Sequence, residues 1–303
     1  MKHSLSLKFS KNLQFKWGDE LSELKQILKQ ILKDGHTAIM GIINITPDSF
    51  YSGSRVDEGH LLLRVEEMIR DGVEILDIGG ESTKPGADAV SLEEESKRVI
   101  PAVKMIRTHF DIPISIDTYK SEVARAALEE GADIINDISA LRMDANMADV
   151  VAHYNCPVVL MHMKGTPKTM QLNPEYVDVV EEIKEFFEER IEFAKSKGIR
   201  EKNIIIDPGI GFGKKLEHNL VILNRIDEFK SLGLPILVGA SRKSMIGMIL
   251  DRPAEDRLNG TLAITAYCSM HDVDIIRVHD VRENVEVVRV IEAIKNADKN
   301  GRK

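Results

Sequence analysis

Eight short runs rich in Ile and Val recur along this chain, each separated from the next by a longer amphipathic stretch. The runs are Ile39–Asn44, Ile75–Gly79, Ile114–Asp117, Ile134–Asp137, Val158–His162, Ile204–Asp207, Ile236–Gly239 and Ile275–His279. A strand that is apolar on both faces has to be covered on both, and strands that alternate with helices pair in parallel. The intervening helical patterns are His60–Arg70, Leu92–Phe110, Lys120–Glu130, Met147–Tyr154, Tyr176–Lys197, Leu216–Phe229 and Thr261–His271, with a last helix from about Arg282 to Ala297. Eight such units in this length match a closed (β/α)8 TIM barrel, an α/β fold. An open doubly wound sheet would need two blunted edge strands, and none of the eight runs has that character.

Residues 1 to 36 follow a different rule. Leu5, Leu7 and Phe9, then Leu13, Phe15 and Trp17, alternate with polar residues as in a β-hairpin. Asp19 then suits an N-cap for a helix whose apolar face holds Leu21, Leu24, Ile27, Leu28, Ile31 and Leu32. The division expected is therefore a 1–36 hairpin-and-helix extension packed on a 37–303 barrel.

Bulk composition narrows the function classes. A net charge of −8 argues against a general nucleic-acid binder. No apolar run reaches the length of a membrane span, and no signal-peptide pattern opens the chain. Cys156 and Cys268 form no metal or redox motif. A cytoplasmic protein acting on small molecules is the expectation.

Polar residues gather at the C-terminal tips of the strands, where barrels of this kind place their chemistry. In order they are Asn44, the segment Gly79–Thr83, Asp117, Asn136 and Asp137, His162, Asp207, Ser241 to Lys243, and Arg277 with His279. One polar strand tip is commonly a helix cap; eight in register describe a ligand site. Alternation puts Arg277 and His279 on one side of the last strand, beside Asn44 on the first. Two cationic groups and an amide oxygen suit a phosphate or pyrophosphate with bound Mg²⁺. Asp117, Asp207 and Asn136 present the acceptors and donors that fit the amidine edge of a planar heterocycle. Lys243 stays open as a Schiff-base lysine, an anion clamp or a solvated charge. The segment Asp207–Lys214 has glycines at 209, 211 and 213, which matches neither the dinucleotide fingerprint nor a P-loop. It reads as a flexible loop that lets Lys214 or a ligand approach.

These segments resemble the dihydropteroate synthase family, a group of pterin-binding barrels targeted by sulfonamides. The resemblance is carried by Met40-Gly-Ile-Ile-Asn-Ile-Thr-Pro-Asp-Ser-Phe50, Asp77-Ile-Gly-Gly-Glu-Ser-Thr-Lys-Pro-Gly86 and Ile114-Ser-Ile-Asp-Thr118. Ile135-Asn-Asp-Ile138, Asp207-Pro-Gly-Ile-Gly-Phe-Gly213, Gly239-Ala-Ser-Arg-Lys-Ser244 and Arg277-Val-His279 continue it in family order. It implies condensation of 6-hydroxymethyl-7,8-dihydropterin pyrophosphate with p-aminobenzoate in folate biosynthesis, with Mg²⁺ as cofactor and a homodimer as assembly. It implies further that Asp117, Asn136, Asp207 and Lys243 hold the pterin, with Asp117, Lys243 and Asp207 as the catalytic set. Asn44, Arg277 and His279 would hold pyrophosphate, with Asn44 toward the metal. Phe50, Thr83, Pro85, Phe212 and Ser244 would form the p-aminobenzoate site. Two departures stand out: Lys84 where the family has arginine, and Tyr51-Ser52-Gly53-Ser54 where it has an acidic loop. A folate-binding methyltransferase barrel, a Schiff-base aldolase and a non-catalytic pterin binder are the competing readings.

Overall fold

The computed structural model describes residues 27–45, 55–82 and 86–300. The eight expected runs are eight parallel strands: β1 (Ala38–Asn44), β2 (Ile75–Gly79), β3 (Ile114–Asp117), β4 (Ile134–Asp137), β5 (Val158–Met161), β6 (Ile204–Asp207), β7 (Leu237–Val238) and β8 (Ile275–Val278). They pair in the order β6-β5-β4-β3-β2-β1-β8-β7. A single parallel bridge, Ile206 to Ile236, joins the two ends and closes the ring. The helices α1 (Ile27–Ile31), α2 (Arg55–Asp71), α3 (Leu92–His109), α4 (Ser121–Glu129), α5 (Met147–Tyr154), α6 (Val179–Ser196), α7 (Leu216–Asn224), α8 (Ser244–Leu250), α9 (Leu258–Met270) and α10 (Val281–Lys295) alternate with them.

Strand alternation sorts the side chains into two cores. Outward-facing Ile39, Leu76, Ile78, Ile114, Ile116, Leu160 and Val278 pack under the helices. Inward-facing Ala38, Met40, Ile75, Ile134, Val159, Ile205, Leu237 and Ile275 form a separate apolar layer in the lower half of the barrel. Leu28, Ile31 and Leu32, on α1 and just after it, pack against that layer and seal the N-terminal mouth. The expected hairpin and the first turns of the helix before α1 lie outside the described residues.

Just above this seal His36 joins three elements. Its Nδ1 meets Glu292 of α10 at 2.8 Å and its Nε2 meets Glu74, which leads into β2, at 2.9 Å. The Thr37 amide donates to the same Glu292 carboxylate at 3.0 Å.

Two helical readings need correction. The pattern over Leu216–Phe229 is one helix in sequence but breaks at Arg225 into α7 and a tight 3-10 turn over Ile226–Leu232. The Arg225 guanidinium reaches both Asp178 and Glu228, which holds the chain in the tighter winding. The helix α8 was not expected at all: Ser-Met-Ile-Gly-Met-Ile-Leu is too short and too evenly apolar to show a helical period.

Candidate active site

The parity that lines the lower barrel with apolar groups carries upward to charged ones. On β2, Ile75 faces inward, so Asp77 does too; on β3, Ser115 and Asp117 share the inward face. Arg277 on β8 bridges the interior. Its Nε donates to Asp77 Oδ2 at 2.5 Å and its Nη2 to Asp117 Oδ2 at 2.7 Å. Asn136 on β4 donates to Asp77 Oδ2 at 3.2 Å. The sequence offered Asp117 no basic neighbour; its partner stands 160 residues later. Asp77 is not among the strand-tip residues that the sequence points to, although a carboxylate in the middle of a fully buried strand is a signal in itself.

Within this network Asp117 Oδ1 is buried and has no hydrogen-bond partner. Burial pushes the Asp117 carboxyl up to about 7; Arg277 pulls it down, and Asp77 pushes it up again. For Arg277 burial works toward a lower pKa, but Asp77 and Asp117 outweigh it and hold the guanidinium above its ordinary value.

The opposite wall carries Asp207 and Lys243. Asp207, at the tip of β6, accepts the Gly209 amide at 2.7 Å. Burial raises its pKa, with Lys243 and the Gly209 amide pulling it back. Burial lowers Lys243 to about 8, opposed chiefly by Asp207. The Lys243 ammonium donates to the Ile210 carbonyl and stands 4.6 Å from the centre of the Phe212 ring. Between the two walls Ile138, Met161, Met163 and Met170 make an apolar shelf, framed by Tyr119 and Phe212.

At the rim, β1 pairs with β8, with Met40 opposite Arg277. Asn44 and His279 therefore stand on adjacent strand ends. The Ser241 hydroxyl bonds His279 Nδ1 at 3.0 Å and accepts the His279 backbone N–H at 3.2 Å. Ser244 opens α8 and is exposed. It lines a cavity of about 500 Å³ together with Gln171, Lys214, Lys215 and Met248, and none of the charged side chains of the two walls lines it. Phe50, Thr83 and Pro85 lie outside the described residues, as do Lys84 and Tyr51–Ser54.

Three rim residues have other work. Asp137 has the outward parity of β4: it accepts the Ser139 and Leu141 amides, each at 2.8 Å, and shapes the following loop. Arg242 forks onto Asp280 at 2.6 and 2.8 Å, so Lys243 alone of that basic pair joins the network. Lys214, expected to approach a ligand, is buried instead. Its ammonium is 2.8 Å from His162 Nδ1, 2.9 Å from the Gly209 carbonyl and 3.0 Å from that of Phe212. Burial drives its pKa well below that of an ordinary lysine, with Asp207 opposing.

Among the described residues no group of three or more His, Cys, Asp or Glu side chains is gathered to hold a metal. Asn44 is exposed at the rim and offers one amide oxygen. That fits Mg²⁺ held mainly by substrate phosphate oxygens and water, with few protein ligands.

Residues 40–279 match the family model described as pterin binding enzyme. A dihydropteroate synthase of Clostridium beijerinckii is 48% identical over 260 residues, covering 85% of this chain and 94% of the relative. A Yersinia pestis dihydropteroate synthase solved with a sulfonamide drug complex superposes with a TM-score of 0.83 at 41% identity, over 88% of this chain and 96% of that one. A Clostridium difficile dihydropteroate synthase, solved in the presence of pteroic acid, does so with a TM-score of 0.80 at 45% identity, over 86% and 97%.

Proposed function

The chain belongs to the pterin binding enzyme family, as a dihydropteroate synthase, and from that premise we infer how its barrel mouth joins 6-hydroxymethyl-7,8-dihydropterin pyrophosphate to p-aminobenzoate and releases pyrophosphate. The observation that carries the assignment of residues is the unpartnered, buried Asp117 Oδ1, on a carboxylate whose other oxygen is held by Arg277. A buried acceptor without a donor costs stability unless a ligand completes it. An amidine N–H of the pterin completes it here, with Asn136 and Asp207 taking the rest of the ring edge and the methionine shelf taking its face.

The chemistry needs little from a general base, because an aniline nitrogen is nucleophilic when neutral. What it needs is a ring that tolerates positive charge at the reacting carbon and a leaving group whose negative charge is met. The Asp117 carboxylate lies where positive charge on the pterin is stabilised. Arg277 is oriented by Asp77 and Asp117, which leaves its Nη1 for pyrophosphate beside Asn44 and His279. When bound, Mg²⁺ neutralises charge on the departing pyrophosphate. Lys243 and Phe212 form the face shared by the two substrates, and Ser244 stands at its outer edge; Phe50, Thr83 and Pro85 complete the p-aminobenzoate site.

We further propose a cytoplasmic homodimer. Cys156 and Cys268 are buried and unbonded, as a reducing compartment allows. On α8 and α9 the side chains of Met248, Ile249, Leu250, Tyr267 and Met270 are exposed, an apolar face suited to a second copy. Light scattering coupled to size exclusion gives the mass that checks it.

The activity test is release of pyrophosphate that requires the pterin pyrophosphate, p-aminobenzoate and Mg²⁺ together, with 7,8-dihydropteroate identified as the product. Folded protein that binds the pterin and forms no product would refute the assignment.

A further inference from the structure

The Gly-rich turn after β6 is held far more tightly than its composition suggests. Gly209, Gly211 and Gly213 all have positive φ, at 69°, 84° and 66°. A Cβ on Gly209 would lie 2.0 Å from the His162 carbonyl oxygen, and one on Gly213 would lie 2.4 Å from that of Lys164. The turn is thus pressed against the segment that follows β5, with no room for a side chain at either point.

Two ammonium groups divide its carbonyls. Lys243 takes Ile210, while Lys214 takes Gly209 and Phe212. Lys214 Nζ also meets His162 Nδ1, and the His162 carbonyl lies 3.3 Å away. Three of its four neighbours are carbonyl oxygens, one more than the two N–H groups of a neutral amine can serve, so this geometry suits the ammonium even though burial works against the charge. His162 Nδ1 can accept only when its ring is neutral with the proton on Nε2. Burial and the Lys214 charge keep the His162 ring neutral by lowering its pKa well below the usual value.

We propose that Lys214, braced by His162, is a positioning residue for the reaction: its buried ammonium occupies the place of a bound monovalent cation and holds the Gly209–Gly213 turn so that Phe212 and the Ile210 carbonyl stand against Lys243. The role rests on the reading above, in which Phe212 and Lys243 meet p-aminobenzoate. The turn also carries the Gly209 amide that bonds Asp207, so both charged groups of that wall, Asp207 and Lys243, lean on one buried charge.

The Gly209 carbonyl keeps the Phe212 amide, but removal of the ammonium leaves the Phe212 and His162 carbonyls and an imidazole lone pair without a donor, and the turn shifts to find one. Lys214→Ala is expected to raise KM for p-aminobenzoate and lower kcat/KM for it about 100-fold, as a displacement near 1 Å does. Pterin pyrophosphate binding, measured separately by calorimetry, should change much less. n-Propylammonium supplies the three carbons and the charge that the variant lacks, so it should recover most of the lost activity; 1-propanol, of similar size without the charge, should recover none. Wild-type kinetics in Lys214→Ala, or equal rescue by the alcohol, would overturn the role. If Lys214→Ala does not fold, the His162 variants decide. His162→Asn keeps an acceptor near the Nδ1 position and should retain wild-type KM, whereas His162→Leu should raise it. Equal KM values for the two would overturn the proposal. Wild-type protein assayed in parallel separates the failures: normal turnover with unaffected variants removes only the role of Lys214, whereas no turnover at all removes the reaction and the role together.

Discussion

The two halves of the barrel interior are built from the same strands on the same parity, yet they are opposite in chemistry. The lower half is Ala38, Met40, Ile75, Ile134, Val159, Ile205, Leu237 and Ile275, closed by α1. One pleat higher, the same inward face gives Asp77, Asp117, Asn136, Asp207 and Arg277. A β-barrel of this size fills its interior with side chains, so either half would fold if apolar. The lower half contributes stability through burial alone. The upper half gives up some of that stability to keep an acceptor unpaired and three carboxylates close together, as a preorganised site does. Stability and activity should therefore separate by height along the axis.

The largest effect is expected at Arg277. Arg277→Met leaves Asp77 and Asp117 buried without their cation, which costs about 3–5 kcal/mol of stability when one member of a buried pair is lost. It also removes the electrostatic centre of the site, so kcat/KM should fall by roughly 10³-fold or more. Chemical denaturation and steady-state kinetics on the same sample read both. An Arg277→Met variant as stable as the wild type would show that the upper half is not strained by its charges.

Asp117→Asn should separate the two properties. Turnover is expected to fall on the order of 10²–10³-fold, since the neutral amide cannot meet positive charge on the pterin. Stability responds in the opposite sense. The folded pKa, about 7, lies above the 3.8 of the unfolded chain, so the folded state binds the proton more tightly. Ionisation of Asp117 therefore weakens the fold as pH rises from about 4 to about 7, and the penalty is complete above that. Asp117→Asn lacks this term, so its stability relative to wild type should improve from pH 5 to pH 8. A relative stability that is flat across this window would mean that Asp117 is ionised throughout.

The strands and the parity of their tips are legible in the sequence because both are local: an apolar run of four to six residues and a period of two suffice. The partners of the tips are not. Arg277 meets Asp77 across 200 residues and Asp117 across 160, and nothing near either carboxylate announces a guanidinium. In sequence Lys214 reads as a residue on a flexible loop because three glycines precede it; the close contacts that make Gly209 and Gly213 necessary come from the segment after β5, about 50 residues earlier in sequence. Helix α8 escaped notice for the reverse reason, since its seven residues carry no polar face for periodicity to detect. Asp137 and Arg242 were placed at the rim by position, but outward parity gave one to its loop and Asp280 claimed the other.

In the lower half the expected pattern reverses. Ile75 is fully buried in the apolar layer one pleat below Asp77. Ile75→Ala should cost roughly 2–4 kcal/mol of stability through lost burial and the cavity left behind. KM for both substrates and kcat should stay near wild type at temperatures where the variant is folded. A large rise in either KM would mean that packing at the base sets the geometry of the mouth, and the two halves would then not be separable.

The smallest effect tests the seal itself. His36 lies between Glu74 and Glu292, and its hydrogen bond with Glu74 raises its pKa above 6.5 against the opposing effect of burial. A histidine whose folded pKa is raised contributes stability that is fully present below the unfolded pKa and is lost as pH rises through the folded one. His36→Ala should therefore destabilise the protein by on the order of 1 kcal/mol at pH 5.5, since the pair is only partly buried. By pH 8.5 most of that difference should be gone, apart from the hydrogen bonds that a neutral imidazole still makes. Urea unfolding of wild type and variant at the two pH values measures it. Activity assayed at a single pH should be the same in both proteins, because the clamp lies at the end of the barrel away from Asp117. A His36→Ala variant that lost turnover in proportion to its stability would join the base to the mouth, which the parity of the strands otherwise keeps apart.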